Sequence, residues 1–381
     1  MFRRKQIFSI LIVFICIILG ACGNSGTTSS GSGKDVIKIA VAGPMTGGGA
    51  EYGKAFKEGA ELAVEQFNDD GGYEDQKVEL VYGDDKNEPK EAANVAQNLA
   101  SNKDIKAVIG HWSSSTTFAG IPIYNRSQIP LLIPTASHPD LTSPDTEWIF
   151  RSSTTQILEG KNLADFAVNQ LGKKKIAVLY VNSDWGKANA ENFKNFAEEY
   201  GADITIYDSY PPGEAIDYTA ALTKVKDSQP DLVFLGSLYT EGILIVKQAK
   251  QLGIDVEFMG TTTFNSDGFL EGGEAVEGVY LDSLFLPTSE EEIVQDFVDA
   301  FKEKFNKEPG YFNALAYDAT TIVLEGIKNG GTTRQGIRDA MADIHDLPVV
   351  TGTVQFNENR DDINKPYYNV IVKDGKFELV E

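Results

Sequence analysis

The chain has 381 residues, with 34 basic and 56 acidic side chains and a formal charge of −22. Such acidity argues against a body that grips nucleic acid or an anionic membrane surface, since both need basic patches. Apolar residues make up 42% and charged residues 24%, the balance of a globular chain with a sizeable core rather than a disordered one, and two cysteines with three scattered histidines argue against a disulfide framework or a metal centre.

Arg3, Arg4 and Lys5 precede an apolar run over 7–19, broken only by Ser9 and Cys16 and short for a membrane span. The run ends in Leu19-Gly20-Ala21-Cys22. This order of charge, apolar core and small residues before a cysteine resembles the bacterial lipobox. It implies a lipoprotein signal peptide over 1–21 and a diacylated Cys22 as the mature N-terminus. Residues 22–34 include the tract GNSGTTSSGSGK, which cannot bury apolar surface and reads as a flexible tether spanning about 20 Å. The expected location is extracytoplasmic, with a soluble body held to the cell membrane by its lipid.

From Val36 onward strand-like and helix-like segments alternate. Strands are expected over 36–43, 77–82, 107–110 and 130–133, with helices over 52–68, 89–100 and 115–125. The pattern restarts with helices over 159–171, 187–200, 218–226 and 240–252, between strands over 175–181, 203–207, 231–236, 256–259 and 279–281. The last third differs. An amphipathic helix over 291–305 carries Ile293, Val294, Phe297, Val298, Phe301 and Phe305 on one face, helices over 313–329 and 333–344 follow, and strands over 352–356 and 368–373 close the chain. Short apolar strands each followed by a helix mean parallel sheets covered on both faces. The run is too long for one sheet and divides near 151–155, so the fold class is α/β with two doubly wound Rossmann-like lobes.

Ligands of open parallel sheets bind beyond the carboxyl ends of the strands, so the turns there are the candidate site. The first, Gly43 through Gly49, lacks the endings of phosphate and dinucleotide loops and reads as a tight turn lining a cleft, with Tyr52 just beyond it. The third strand leads into His111-Trp112-Ser113-Ser114-Ser115-Thr116-Thr117, a run of hydroxyls at a helix N-terminus, where free N–H groups and the dipole favour an anion such as a carboxylate. One capping serine would need only one of them. The next strand leads into Pro134-Thr135-Ala136-Ser137-His138, and two hydroxyl-rich turns on neighbouring strands are placed to share one carboxylate. In the second lobe the turns offer Asp184 and Trp185, then Tyr239 and Glu241, then Thr261, Thr262 and Thr263. Asp184 and Glu241 also have plain readings, as a helix cap and as a solvated first-turn acid. No G-x-S-x-G elbow, HExxH pair or cysteine nucleophile is present, so neither an enzyme nor a bound cofactor or metal is expected.

The stretches IKIAVAGPMTG with AEYG, GAELAVEQFNDDGG, ELVYGDDKNEPKEAANVAQNL, AVIGHWSSSTT, PTASHPDLTSPDTEWIFRSS and GEAVEGVY resemble the type I periplasmic binding proteins of ABC transporters, in particular the branched-chain amino-acid (leucine/isoleucine/valine) binding family. The resemblance covers nearly everything from Val36 to Phe356. It implies two lobes joined by three crossings near 152–155, 282–284 and 349–352, so that lobe I comprises 35–153 and 283–349 and lobe II comprises 154–282 and 350–381. It implies a carboxylate grip at Ser114 and Ser137, an ammonium acceptor near the Thr135 carbonyl, and an aromatic lid of Tyr52, Trp112 and Trp185. It further implies a monomer that captures a small amino acid or related carboxylate or amide by lobe closure and hands it to an ABC permease. The alternative is a sensor of the same fold that signals to a membrane partner. The sequence departs from the family at Thr262, where leucine-binding members carry the glutamate that pairs the ligand's ammonium. Glu241, Asp184 or Asp267 is then expected to replace it, unless the ligand has no ammonium.

Overall fold

The structure, a computed structural model, describes residues 36–213, 217–362 and 364–380. The signal peptide, Cys22 and the tether lie outside the described residues. Among the described residues no helix is long and apolar enough to cross a membrane.

The first sheet is built from β1 (Ile37–Gly43), β2 (Val78–Asp84), β3 (Ile105–Ile109), β4 (Leu131–Ile133) and β5 (Ile149–Arg151), all parallel in the order β2-β1-β3-β4-β5. Between them run α1 (Ala50–Asp69), α2 (Pro89–Ser101) and α3 (Ser114–Arg126). β1 is buried on both faces, as an interior parallel strand must be. Ile37, Ile39 and Val41 point into one core layer and Ala40 and Ala42 into the other. Gly53 is required at the start of α1, because a Cβ there would lie 2.3 Å from the Pro44 carbonyl oxygen. This contact folds the glycine-rich turn back on the helix.

The second lobe opens with α4 (Gln156–Asp165), which runs on as a π-turn to Gln170. Then come β6 (Lys175–Val181), α5 (Asp184–Glu199), β7 (Asp203–Tyr210), α6 (Thr219–Ser228), β8 (Leu232–Gly236), α7 (Tyr239–Gln251), β9 (Glu257–Met259), the single turn α8 (Asp267–Leu270) and β10 (Tyr280–Ser283). The chain returns to lobe I with α9 (Glu292–Phe305), α10 (Tyr311–Gly330) and α11 (Arg334–Ala342). Val294, Phe297, Val298 and Phe301 of α9 join the lobe I core. At the crossing of α1 and α10 a Cβ on Gly59 would meet the Asn313 carbonyl oxygen at 2.3 Å, so only glycine permits this approach.

A hairpin of β11 (Leu347–Val349) and β12 (Gly352–Val354) follows, and β13 (Tyr368–Lys373) and β14 (Lys376–Leu379) complete the second sheet in the order β14-β13-β10-β9-β8-β6-β7. Its last two strands are antiparallel. The third crossing lies later than the resemblance implied. Val350 and Thr351 donate to the Asp318 carboxylate of α10 at 2.9 Å each, Phe356 packs on Phe150, and Arg360 Nε donates to the Ile149 carbonyl at 3.0 Å. Residues 350–362 therefore belong to lobe I, and the chain changes lobe only between Asp362 and Tyr368. The hydroxyls of Thr154 and Tyr367 hydrogen-bond there, tying the first crossing to the third.

Candidate functional site

The two hydroxyl-rich turns of lobe I are laced together. Ser113 is the N-cap of α3, its Oγ accepting from the Thr116 N–H at 3.4 Å, which leaves the neighbouring serines free of that duty. Ser114 Oγ accepts the His138 N–H at 3.3 Å, so its own proton is free to be donated. Thr135 Oγ1 donates to the Trp112 carbonyl at 2.8 Å. Beneath them, buried His111 places Nδ1 2.6 Å from Asp85 Oδ2 and Nε2 3.0 Å from the Tyr124 hydroxyl. Arg151, fully buried, donates to the His138 carbonyl at 2.7 Å and pairs with Asp361 at 2.7 Å. Burial lowers the His138 pKa, favouring the neutral ring, although Asp140 and Asp184 pull the other way.

These turns line a cleft of about 790 Å³ between the lobes. Ser113, Ser114, Thr135, Ala136 and Ser137 border it from lobe I, together with Tyr52 and Trp112. Tyr52 stacks on Trp112 with centroids 4.0 Å apart and a 15° interplanar angle, and takes Phe312 edge-on at 4.8 Å. Trp185, Glu241 and Thr262 border the cleft from lobe II, beside the apolar Val181, Pro212, Leu238 and Leu244. One end of the cleft thus donates hydrogen bonds at a helix N-terminus, and the opposite side carries an apolar stretch beside the polar Thr262, Thr263 and Glu241. That suits a small molecule with an anionic group and a hydrocarbon part.

Three sequence candidates lie elsewhere. Asp184 is not on the cleft wall and is not the α5 cap, which is Ser183, accepting from Gly186 N–H at 3.0 Å; Asp184 instead receives the Ser115 hydroxyl across the lobes at 3.4 Å. Tyr239 turns its ring edge to Tyr52 at 5.7 Å and its hydroxyl to Glu51, beside a separate cavity of about 350 Å³. Asp267 also borders that smaller cavity and not the cleft. Sequence reasoning missed Lys86, Leu244, Tyr311 and Phe312, which line the cleft from a loop and from helices.

The charges near Thr262 are also arranged unexpectedly. Glu241 is buried rather than solvated; it accepts from the Leu238 N–H at 3.1 Å and the Tyr210 hydroxyl at 3.2 Å. Burial raises its pKa and those two donors oppose the rise. The acid that reaches Thr262 is Glu159 of α4. Its Oε1 accepts from the Thr262 hydroxyl at 2.8 Å and the Thr262 N–H at 3.1 Å, and its Oε2 from Asn189 Nδ2 at 2.9 Å. Burial raises the Glu159 pKa against these bonds. Asp282, equally buried, is raised well above the usual carboxylate range by desolvation and then by the Glu159 charge. Asn162 and the Thr262 amide stand near enough to favour its ionised form, yet neither Asp282 oxygen makes a full hydrogen bond.

Residues 36–376 match the family model described as periplasmic binding protein. The chain is 32% identical to the leucine-, isoleucine-, valine-, threonine- and alanine-binding protein of Pseudomonas aeruginosa, over 90% of this chain and 92% of that one. Among solved structures it resembles the leucine-binding protein LivK of Thermotoga maritima, with a TM-score of 0.86, 30% identity and coverage of 91% and 98% of the two chains. It equally resembles the branched-chain amino-acid transporter substrate-binding protein LivJ of Streptococcus pneumoniae, solved with isoleucine, with a TM-score of 0.86, 32% identity and coverage of 91% and 99%. The chain belongs to the type I periplasmic binding proteins, in the branched-chain amino-acid ABC transporter substrate-binding family, whose members bind substrates rather than transform them.

Proposed function

We propose that the protein captures a branched-chain or similar small amino acid outside the cytoplasm and delivers it to an ABC permease, while tethered to the membrane through Cys22. The observation that carries this reading is the pair of laced turns on one cleft wall. Ser114 and Ser137, with the free N–H groups of α3, hold the ligand's carboxylate. Thr135 and Ala136 border the ligand's polar end, Tyr52 and Trp112 cover it, and Trp185 and the apolar wall of lobe II receive its side chain. Closure follows because only the closed form touches the ligand from both lobes. The names of the relatives support the ligand class.

A thermal-shift screen of leucine, isoleucine, valine, short carboxylates and amides tests this reading. A true ligand at a hundred times its dissociation constant adds about 2.7 kcal/mol of stability. No shift with any amino acid would reject the ligand class.

Glu51 links the lobes away from the cleft, its Oε1 accepting the Gly268 N–H at 3.0 Å while the Tyr239 hydroxyl meets the same carboxylate. Removing a contact made only on closure taxes binding by the energy of that contact. Glu51→Ala is expected to weaken leucine binding about five- to tenfold and to enrich the open form in X-ray scattering. Unchanged affinity together with an unchanged scattering profile would remove Glu51 from the closing mechanism.

A further inference from the structure

The Thr262 hydroxyl owns one proton, and it is donated to Glu159. The oxygen therefore offers lone pairs only: the Tyr311 hydroxyl beside it can use one, and toward the cleft, which both residues line, the other accepts. Its backbone N–H is donated to the same carboxylate oxygen, so Glu159 holds both the side chain and the backbone of this residue. Behind it Glu159 is 1% exposed, and Asp282 is fully buried with neither oxygen hydrogen-bonded. Among the described residues no lysine, arginine or histidine pairs with either acid. Glu159 is the one of the pair held by donors, two from Thr262 and one from Asn189, while burial and the Glu159 charge drive Asp282 toward its neutral acid. One buried carboxylate without a cation is costly to the empty protein, and a cation arriving at Thr262 relieves that cost. The lobe I turns donate; the floor of the cleft at Thr262 accepts and is backed by negative charge.

We propose that Glu159, working through the Thr262 hydroxyl, is the positioning residue that selects ligands carrying an α-ammonium group over the same carbon skeleton without one. This rests on the amino-acid reading above and supplies its missing counter-charge. It replaces the three acids expected from the sequence, since Asp184 and Asp267 lie off the cleft and Glu241 already serves the N-terminus of α7. Glu159 touches no ligand itself. It keeps the Thr262 oxygen an acceptor and places a charge behind it.

The test compares leucine with 4-methylpentanoate, its counterpart lacking the amino group, by calorimetry on the purified protein. In the native protein leucine is expected to bind more tightly. Glu159→Gln is expected to weaken leucine about ten- to a hundredfold while moving 4-methylpentanoate less than threefold, so that discrimination collapses. Thr262→Val removes the acceptor oxygen but leaves the buried acid, and is expected to give the same loss of discrimination. It also carries the test if Glu159→Gln folds poorly. A merely structural role would weaken both ligands in parallel. Parallel weakening, or unchanged leucine affinity in both variants, overturns the proposal while leaving the amino-acid reading intact. A native protein that binds no amino acid overturns both.

Discussion

Replacing Ser114 and Ser137 together by alanine is expected to abolish the heat of leucine binding in calorimetry. Hydrogen bonds to a charged partner contribute about 1.5–3 kcal/mol each. Losing two therefore costs on the order of a hundred- to a ten-thousandfold in affinity. The fold should survive. Ser114 Oγ gives up only a 3.3 Å contact from the His138 N–H, and the N-cap of α3 belongs to Ser113, which is untouched. An unaltered melting temperature in the absence of ligand is thus part of the expected result. Retained leucine affinity would mean that the carboxylate is held elsewhere.

The second large effect concerns stability. Arg151 sits at the end of β5 with no exposed surface, donating to Asp361 Oδ1 at 2.9 Å, to Thr142 Oγ1 at 3.2 Å and to the His138 carbonyl at 2.7 Å. It is the point where the Ser137 turn, the edge of the lobe I sheet and the segment leading to the third crossing meet. Arg151→Met leaves Asp361 with its charge and without its partner. Breaking such a pair from one side costs about 3–5 kcal/mol. Urea denaturation should show the midpoint falling by that equivalent with the slope unchanged. Adding Asp361→Leu should recover part of the loss, because the stranded charge is gone. A single variant as stable as the native protein would contradict this account of Arg151.

The differences between sequence and structure have specific causes. Turns at the carboxyl ends of parallel strands share one edge of a sheet, and that rule is enough to bring Ser113, Ser114, Thr135 and Ser137 to one wall. It does not say which way a residue in the first helical turn points. Asp184 and Tyr239 follow strand ends as closely as the serines do, yet the first faces Ser115 and the second turns toward Tyr52 and Glu51. Glu159 was illegible because its partner Thr262 lies 103 residues away, in a different structural layer. On its own it is an acid in a helix's first turn, where acids are favourable anyway. Strands β5 and β11, three residues each, are too short for an alternation to register. The late third crossing is likewise fixed by long-range bonds, Asp318 to Val350 and Arg360 to Ile149, that no local pattern announces.

A crystal structure of the protein grown with leucine shows directly where the ligand's carboxylate is held. One leucine is expected between the lobes, its carboxylate oxygens within hydrogen-bond distance of the Ser114 and Ser137 hydroxyls and its side chain against Leu238 and Leu244. A leucine whose carboxylate contacts lobe II alone, or a cleft left without amino acid at saturating concentration, would contradict it.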